Sequence, residues 1–203
     1  MGIGGDVAVS VVMPTRKLAD GQKAAGRLPS GAVEGVLVTG PGVAGAKNYG
    51  AGVARGDVLV FVDDDSRVDG DLGWFDGRPA GEAYWGGELE DGTGGGAAWN
   101  VFGMKMLQGN FLAVNGSFQA VRREAFELVG GYRRGSIYED VDLGRRLLAI
   151  GVRANRSPVR VRVMRRYAGV GEVARRRAGE ALYGRSGPYE ARRLVSAGNS
   201  QPP

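Results

Sequence analysis

Three short apolar runs in the first third of the chain most constrain its fold. They are rich in β-branched residues and occupy positions 7–13, 33–39 and 57–62. Each is as long as a strand and shorter than a typical helix, which is characteristic of strands buried on both faces of a sheet. The segments between them, 17–27 and 44–55, have helix-forming composition. This alternation predicts an open, mostly parallel central α/β sheet flanked by helices.

Later segments give further predictions. Residues 86–96 are rich in glycine and acids, which predicts a surface loop, and we interpret it as a lid over a bound ligand. An extended segment at 111–121 precedes two predicted helices, 122–129 and 138–151. Valine alternates with arginine after Pro158, which predicts an edge strand. The arginines of this segment, Arg160, Arg162, Arg165 and Arg166, are candidates for gripping a diphosphate or a lipid phosphate.

The chain length and the charge distribution predict one domain with a basic tail. A chain of 203 residues is ample for one core and tight for two, so we predict a single domain over residues 1–165. Residues 151–203 carry 12 basic side chains, all arginine, against 3 acidic ones. We therefore expect 166–203 to be an Arg-rich tail, helical and then frayed, that either contacts an anionic membrane face or is simply solvated. Without a signal segment or an aromatic stacking pattern, we expect a cytoplasmic protein that does not bind nucleic acid.

The missing residue types limit the chemistry. The chain has no cysteine and no histidine, which excludes disulfides, thiolate nucleophiles, Cys-zinc sites and histidine proton shuttles. Any catalysis must therefore use carboxylates, hydroxyls, arginine and lysine.

Three consecutive aspartates, Asp63, Asp64 and Asp65, follow the third apolar run. Carboxylates crowded at the C-terminal end of a central strand repel each other unless a cation compensates them, and this edge is where open α/β sheets bind ligands. Their oxygens suit Mg²⁺ or Mn²⁺, which take further oxygens from a diphosphate. The alternative is a solvated turn with aspartate caps.

A second acidic group, Glu139, Asp140 and Asp142, begins a predicted helix. By itself it is typical of a helix N-cap. Together with a metal site it gains another interpretation, because transfer of an activated group to a hydroxyl needs a base for the acceptor proton. In a chain without histidine or cysteine, an aspartate or glutamate is the natural base.

A glycine motif offers a different function. Gly40, Gly42 and Gly45 form GxGxxG after a predicted strand, and the aspartates at 63–65 follow at roughly 20 residues, as in dinucleotide sites. Glycine makes up 37 of 203 residues, so about one chance match is expected in such a chain. An NAD-dependent oxidoreductase therefore stays open as an alternative.

Three blocks together resemble family 2 glycosyltransferases. They are VSVVMPTRK, GVAGAKNYGAGVARGDVLVFVDDDSRVDGD and NGSFQAVRREAFELVGGYRRGSIYEDVDLGRRLLAIG, in the order of the family and covering roughly residues 7–151. The resemblance implies a GT-A fold, a UDP- or GDP-type nucleotide-diphosphate sugar donor, Mn²⁺ or Mg²⁺, and inverting hexosyl transfer. The acceptor would be a carbohydrate, lipid-linked or protein hydroxyl.

The resemblance also assigns roles to residues. Asp140 would be the catalytic base with Glu139 beside it, and Asp65 the metal ligand with Asp63 next to it. The residues implied to contact the nucleotide are Pro14, Thr15, Arg16, Lys47, Asp63 and Asp64. Those implied to line the donor-sugar pocket are Asn115, Gly116 and Ser117.

The chain departs from the family pattern in three ways. Thr39 and Gly40 stand where many members have an acid that reads the base, and no histidine follows the second acidic group. The QxxRW-type motif of processive synthases is absent, so we expect non-processive transfer.

A non-catalytic sugar-nucleotide-binding protein is a second alternative. Three aromatic residues, Tyr84, Trp85 and Trp99, are candidates for stacking on a sugar acceptor.

Overall fold

The computed structural model describes residues 7–16, 28–94, 114–136, 138–164 and 187–195. The predicted helix at 17–27, Trp99 and most of the Arg-rich tail lie outside the described residues. The strands are β1 (Val9–Pro14), β2 (Glu34–Thr39), β3 (Val58–Val62), β4 (Ser66–Asp69), β5 (Tyr84–Asp91), β6 (Phe118–Arg122), β7 (Ala154–Val163) and β8 (Glu190–Val195). The helices are α1 (Val43–Val53), α2 (Arg123–Leu128) and α3 (Glu139–Ala149), with a 3₁₀ helix at Leu72–Phe75.

The described strands form one eight-stranded sheet in the order β4-β7-β5-β6-β3-β1-β2-β8. The α/β architecture agrees with the prediction, but the sheet is mixed rather than mostly parallel. β1 pairs in parallel with β2 and β3, and β5 pairs in parallel with β7, whereas the other neighbours are antiparallel. Apolar runs predict strands but not their directions, because the path of the intervening chain sets the direction in which each strand enters the sheet.

The predicted strands β1, β2 and β3 are buried on both faces. Their alternate side chains therefore belong to two separate cores. Val9, Val11 and Val60 pack with Phe75 and Trp85 on one face, beside the 3₁₀ helix. On the other face the core joins the strands to all three α-helices through Val12, Val38, Leu59, Phe61, Ala44, Ala51, Phe126, Leu143 and Leu147. The side chains that α1 and α3 direct toward the sheet edge thus share one face of the molecule.

Residues 86–91, predicted as part of a loop, belong to the interior strand β5, so the lid interpretation is wrong for this segment. Trp85 and Leu89 are almost completely buried, and β5 pairs with both β6 and β7. A Cβ at Gly87 would lie 3.0 Å from the Val159 carbonyl oxygen, so the glycine allows a close approach of two strands. Pairing with β7 along Glu88–Asp91, together with pairing to β6 up to Gly86, outweighs the loop-like composition.

Two further strands differ from their predictions. β7 is not an edge strand, because it lies between β4 and β5 with its valines buried and Arg160 exposed. Residues 190–195, assigned from sequence to a tail outside the domain, form β8 and pair antiparallel with β2 from Glu34 to Thr39. The described part of the tail therefore belongs to the sheet of the domain.

Candidate functional site

The strand register brings several predicted site residues to one edge of the sheet. Pro14, the last residue of β1, lies opposite Val38 of β2, and β1 also pairs in parallel with β3, which ends just before Asp63. Because β6 runs antiparallel to β3, with Phe118 opposite Val62, the turn that precedes β6 reaches the same edge. The loops after β1 and β3 and the turn before β6 therefore form adjacent parts of one surface, at the edge where α/β sheets bind ligands.

A buried lysine joins the two acidic groups. Lys47 on α1 is 0% exposed, and its Nζ lies 3.4 Å from Glu139 Oε1 and 3.8 Å from Asp63 Oδ1. The Tyr132 ring centroid lies 5.1 Å from the same nitrogen. Burial lowers the pKa of Lys47, but the carboxylates of Asp63, Glu139 and Asp140 outweigh it and raise the pKa overall. Lys47 is thus a cation that holds the end of β3 against the start of α3.

Asp140, in the first turn of α3, is held by two backbone N–H groups, one from α3 itself and one from the turn before β6. Its Oδ2 accepts a hydrogen bond from Gly116 N–H at 3.0 Å, and its Oδ1 accepts one from Val141 N–H at 2.9 Å. The carboxylate is 8% exposed, and acids in a first turn are favoured by the helix dipole. A Cβ at Gly116 would lie 3.1 Å from Asp140 Oδ2, so this glycine lets the turn approach the carboxylate.

The turn that contains Gly116 is itself locked. Asn115 Oδ1 accepts a hydrogen bond from Ser117 N–H at 2.6 Å, and the Asn115 carbonyl accepts one from Phe118 N–H at 3.1 Å. Asn115 and Ser117 are both buried. The three residues predicted for the donor-sugar pocket therefore form one rigid turn beside Asp140.

The aspartate run lies in a half-buried turn between β3 and β4. Ser66 N–H donates to the Asp63 carbonyl at 3.0 Å, and Met164 N–H donates to the Asp65 carbonyl at 2.9 Å, which ties the turn to the end of β7. Within the described ranges, no group of three or more carboxylates could hold a metal ion.

The loop after β1 places its two polar residues differently. Thr15 is buried and donates its backbone N–H to the Val38 carbonyl at 2.8 Å, whereas Arg16 is exposed. The structure thus joins Lys47, Asp63 and Glu139 by direct contacts, and Gly116 to Asp140. The remaining predicted site residues share the sheet edge by their positions at strand ends, namely Pro14, Thr15, Arg16, Asp64, Asp65, Asn115 and Ser117.

Sequence analysis missed the buried polar residues that support this site. Tyr132 exchanges hydrogen bonds with Asn48: Asn48 Nδ2 donates to the Tyr132 carbonyl at 2.7 Å, and Tyr132 N–H donates to Asn48 Oδ1 at 2.8 Å. Gln119 is completely buried in β6. A single amide within the otherwise apolar FQAV segment was the available signal, since buried polar groups need hydrogen-bond partners.

Two other predicted ligand contacts do not agree with the structure. Tyr84 and Trp85 are 1% and 0% exposed, so neither can stack on an acceptor sugar, and both belong to the core. Arg162, a candidate for gripping a phosphate, instead pairs with Asp69 at 3.2 Å and Glu90 at 3.3 Å. The more distal arginines at 165–177 lie outside the described residues, so the membrane contact stays a prediction. No helix in the described part of the chain is long and apolar enough to span a bilayer.

The GxGxxG turn is occupied by a side chain of the protein itself. The Tyr189 ring packs where a Cβ at Gly40 or Gly45 would lie, and its hydroxyl donates to the Pro41 carbonyl at 2.9 Å. The ring also stacks on Tyr49 with centroids 5.5 Å apart. Dinucleotide sites need these glycines for close approach of a pyrophosphate. Tyr189 fills that space, which argues against the oxidoreductase alternative.

Comparisons with known proteins support the fold. No family model matches the chain, and no curated protein matches it in sequence. The chain is similar in structure to the mannosyltransferase PcManGT from Pyrobaculum calidifontis, solved with GDP-Man and Mn²⁺, with a TM-score of 0.59 and 16% identity over 88% of this chain and 62% of that one. It is also similar to GalNAc-T7 with UDP, GalNAc and Mn²⁺, with a TM-score of 0.55 and 16% identity over 80% of this chain and 44% of that one.

These similarities confirm the predicted GT-A-like fold. The chain spans about three fifths of the first solved chain and less than half of the second. The activity, the donor, the metal and membership of family 2 therefore remain proposals for this protein.

Proposed function

We propose that the chain is a metal-dependent, inverting glycosyltransferase of the hexosyltransferase type and of family 2. It would move a sugar non-processively from a nucleotide-diphosphate sugar to an acceptor hydroxyl. The observation that carries this proposal is the group of carboxylates around buried Lys47 at the ligand-binding edge of the sheet. The ligands named for the two similar structures, nucleotides or nucleotide sugars with Mn²⁺, support the same chemistry.

The donor set at the end of β3 fits a divalent cation that is shared with a diphosphate. Mg²⁺ and Mn²⁺ usually take one or two carboxylates, keep several waters and complete their coordination with phosphate oxygens. Asp63 faces Lys47, so we assign Asp65 as the principal metal ligand with Asp63 beside it. When bound, the ion would neutralise the charge that develops on the leaving diphosphate. Metal affinity should therefore depend on the presence of the nucleotide.

The loop 14–16 and Asp64 are assigned to the nucleotide. Exposed Arg16 supplies a cation at the sheet edge, and Asp64 supplies an acceptor for a ribose hydroxyl. Lys47 has a different role from the nucleotide contact that the resemblance implies, because its Nζ is buried against Glu139 and Asp63. We infer that it holds these two carboxylates in place.

Asp140 is assigned as the base. Each carboxylate oxygen accepts one backbone N–H and keeps a lone pair, so the group is oriented and still able to take a proton. As the acceptor oxygen bonds to the anomeric carbon, the bond from that carbon to the diphosphate oxygen breaks and its electron pair leaves with the diphosphate. The acceptor oxygen attacks on the face opposite the leaving group, so the configuration at the anomeric carbon would be inverted, and the acceptor proton would pass to Asp140.

Two substitutions and one control test these assignments. Asp140→Asn should retain donor binding and lose turnover, whereas Asp65→Ala should lose metal-dependent donor binding. Asp142→Asn is the matched control, because Asp142 lies in the same helical turn but pairs with Arg146 at 2.8 Å. Its turnover should stay within about twofold of the wild type, because the Asp142 carboxylate pairs with Arg146 and not with the residues that orient Asp140. Near-normal turnover in Asp140→Asn would refute the base assignment.

A thermal-shift panel identifies the donor. It would contain UDP, GDP, dTDP, their common sugar conjugates and NAD, each with and without Mn²⁺. A ligand at a hundredfold over its dissociation constant stabilises by about 2.7 kcal/mol, or roughly 5–11 °C for a chain of this size. A Mn²⁺-dependent shift with one nucleotide supports the proposal, and a metal-independent shift with NAD alone contradicts it. Binding without transfer or donor hydrolysis would favour a non-catalytic sugar-nucleotide-binding protein instead.

A further inference from the structure

A chain of three buried polar side chains lies beneath the candidate site. Tyr132 donates its hydroxyl to Gln119 Oε1 at 2.6 Å, and Gln119 Nε2 donates to the Tyr84 hydroxyl at 2.6 Å. The same nitrogen donates to the Val114 carbonyl at 3.0 Å. Gln119 is 0% exposed, and both tyrosines are at most 2% exposed. Every polar group of the Gln119 side chain is therefore engaged inside the protein.

This arrangement links three separate segments of the chain. Tyr84 begins β5, Gln119 lies in β6, and Tyr132 follows the glycines that end α2. Burial raises the pKa of Tyr84 and of Tyr132, so both hydroxyls keep their protons at neutral pH and can donate. Because an unsatisfied buried polar group costs about 1–3 kcal/mol, the set is stable only when all of its members are in place.

The chain of hydrogen bonds ends at the turn that holds the candidate base. The Val114 carbonyl, which Gln119 fixes, lies one residue before the turn 115–117. Within that turn Gly116 N–H donates to Asp140 Oδ2. A displacement of the Val114 backbone would therefore move Gly116, and with it the Asp140 carboxylate.

At its other end, this series of hydrogen-bonded side chains reaches Lys47. The ring of Tyr132 lies beside the Lys47 ammonium, and its backbone is held by Asn48 on the same helix. Gln119 is thus connected to Asp140 through Val114 and Gly116, and to Lys47 through Tyr132.

We propose that Gln119 is a positioning residue for the reaction: it holds residues 114–117 in the position from which Gly116 N–H orients the Asp140 carboxylate. This inference rests on the proposed function only in assigning a reaction to Asp140. The hydrogen-bond relay itself is a property of the folded chain and can be measured without a substrate.

The test variant is Gln119→Met, which keeps the length of the side chain and removes all three hydrogen bonds. Tyr84→Phe removes one of them and provides a milder variant if Gln119→Met does not fold. Ser157→Ala is the matched control, because the Ser157 hydroxyl is also buried and donates to a strand carbonyl, that of Gly86, at 3.0 Å. The Gly86 carbonyl belongs to β5 and not to the turn 114–117.

The first measurement is the Gly116 amide resonance in a ¹H–¹⁵N spectrum, together with its hydrogen-exchange rate. An N–H that donates to a carboxylate is strongly polarised, and Asp140→Asn identifies that effect. In Gln119→Met the resonance should move toward its position in Asp140→Asn and the amide should exchange at least about tenfold faster, since each tenfold corresponds to about 1.4 kcal/mol. Tyr84→Phe should move it in the same direction and less, and Ser157→Ala should leave it unchanged.

The second measurement separates kcat from KM once a donor is known. Misplacing a catalytic group by about 1 Å can cost a hundredfold in rate, so kcat of Gln119→Met should fall by roughly 10- to 100-fold while the KM for the donor stays within about twofold. An unchanged Gly116 amide in both Gln119→Met and Tyr84→Phe overturns the inference. So does a loss of kcat that is matched in Ser157→Ala. A moved Gly116 amide in a protein without any transfer or donor hydrolysis supports the relay and refutes the proposed function instead.

Discussion

Replacing Lys47 by methionine tests whether the buried cation organises the site. Methionine has nearly the same length but leaves Glu139 and Asp63 without the ammonium that lies 3.4 and 3.8 Å away. Removing one partner of a buried ion pair typically costs 3–5 kcal/mol. The side chain of Asp63 is 34% exposed whereas that of Glu139 is 11% exposed, so the loss of the ammonium mainly affects the buried charge of Glu139. We therefore expect the lower end, about 3 kcal/mol.

The assays are urea unfolding, which gives the free energy of unfolding, and thermal unfolding, which gives Tm, both followed by tryptophan fluorescence. A loss of about 3 kcal/mol corresponds to a decrease of roughly 6–12 °C in Tm for a chain of this size. Adding Glu139→Gln to Lys47→Met should restore about 1–2 kcal/mol of the free energy of unfolding, because the second substitution removes the buried negative charge that has lost its lysine. Arg67→Met is the control, since Arg67 forms an exposed pair with Asp69 at 3.1 Å and should cost less than about 1 kcal/mol.

Two results would refute this reasoning. One is a Lys47→Met protein whose unfolding free energy equals that of Arg67→Met within error. The other is a double variant that is less stable than Lys47→Met alone, which would mean that Glu139 does not depend on the lysine.

Three further predictions concern the Tyr189 contact, the buried tyrosines and the Asp140 turn. Gly45→Ala should destabilise the protein by about 1–3 kcal/mol in urea unfolding, because the new methyl group overlaps the Tyr189 hydroxyl. The control is Gly52→Ala on the same helix, whose methyl group meets nothing within 4 Å and should stabilise the protein by up to about 1 kcal/mol. Equal effects of the two substitutions would refute the Tyr189 contact. Since burial raises the pKa of Tyr84 and of Tyr132, the folded state holds these protons more tightly than the unfolded state, and stability should fall as the pH rises above about 10. Tyr84→Phe should make that fall shallower by up to about 1.4 kcal/mol per pH unit, and an unchanged slope in alkaline urea unfolding would contradict its burial as a neutral phenol. Gly116→Ala should lower turnover at least about tenfold with little loss of stability, because the new Cβ crowds Asp140 Oδ2 at 3.1 Å. The control is Gly81→Ala, which has open space around it and should leave turnover unchanged. Equal turnover in both variants would argue against the Asp140 geometry.

Local sequence predicted the part of the fold where local physics decides. The apolar runs at 7–13, 33–39 and 57–62 became β1, β2 and β3 because they can be buried on both faces. Helix α3 was equally clear, with Glu139 and Asp140 in its first turn and Arg146 in its last. Capping and dipole effects act within a few residues, so they can be recognised without knowledge of the fold.

Pairing between distant segments decided the rest. The glycines and acids of 86–91 are typical of a loop, yet this segment is a strand because β7 pairs with it as far as Asp91, and β6 pairs with its beginning at Gly86. Strand β8 forms in an Arg-rich segment for a similar reason, since the edge of β2 offers it a partner along its whole length. In both cases the partner strands are distant in sequence, so composition alone predicted the wrong structure for residues 86–91 and 190–195.

The candidate site shows the same division. The acids at 63–65 and 139–140 were identified from their types and positions, but the burial of Lys47 between them was not. That burial requires α1 and α3 to lie on the same face of the sheet, which only the tertiary structure determines. Gln119 and Tyr132 support the site from β6 and from the loop after α2, and their roles depend equally on contacts across the fold.

In the proposed function, Asp65 and a nucleotide diphosphate together bind a divalent cation at the sheet edge. The most direct test is a crystal structure with Mn²⁺ and the nucleotide selected by the thermal-shift panel, with anomalous scattering data collected at the manganese edge. We expect an anomalous peak between the Asp65 carboxylate and the diphosphate, with the nucleotide against the loop 14–16. A nucleotide bound at the Gly40–Gly45 turn, or a peak without any contact to Asp65, would contradict it.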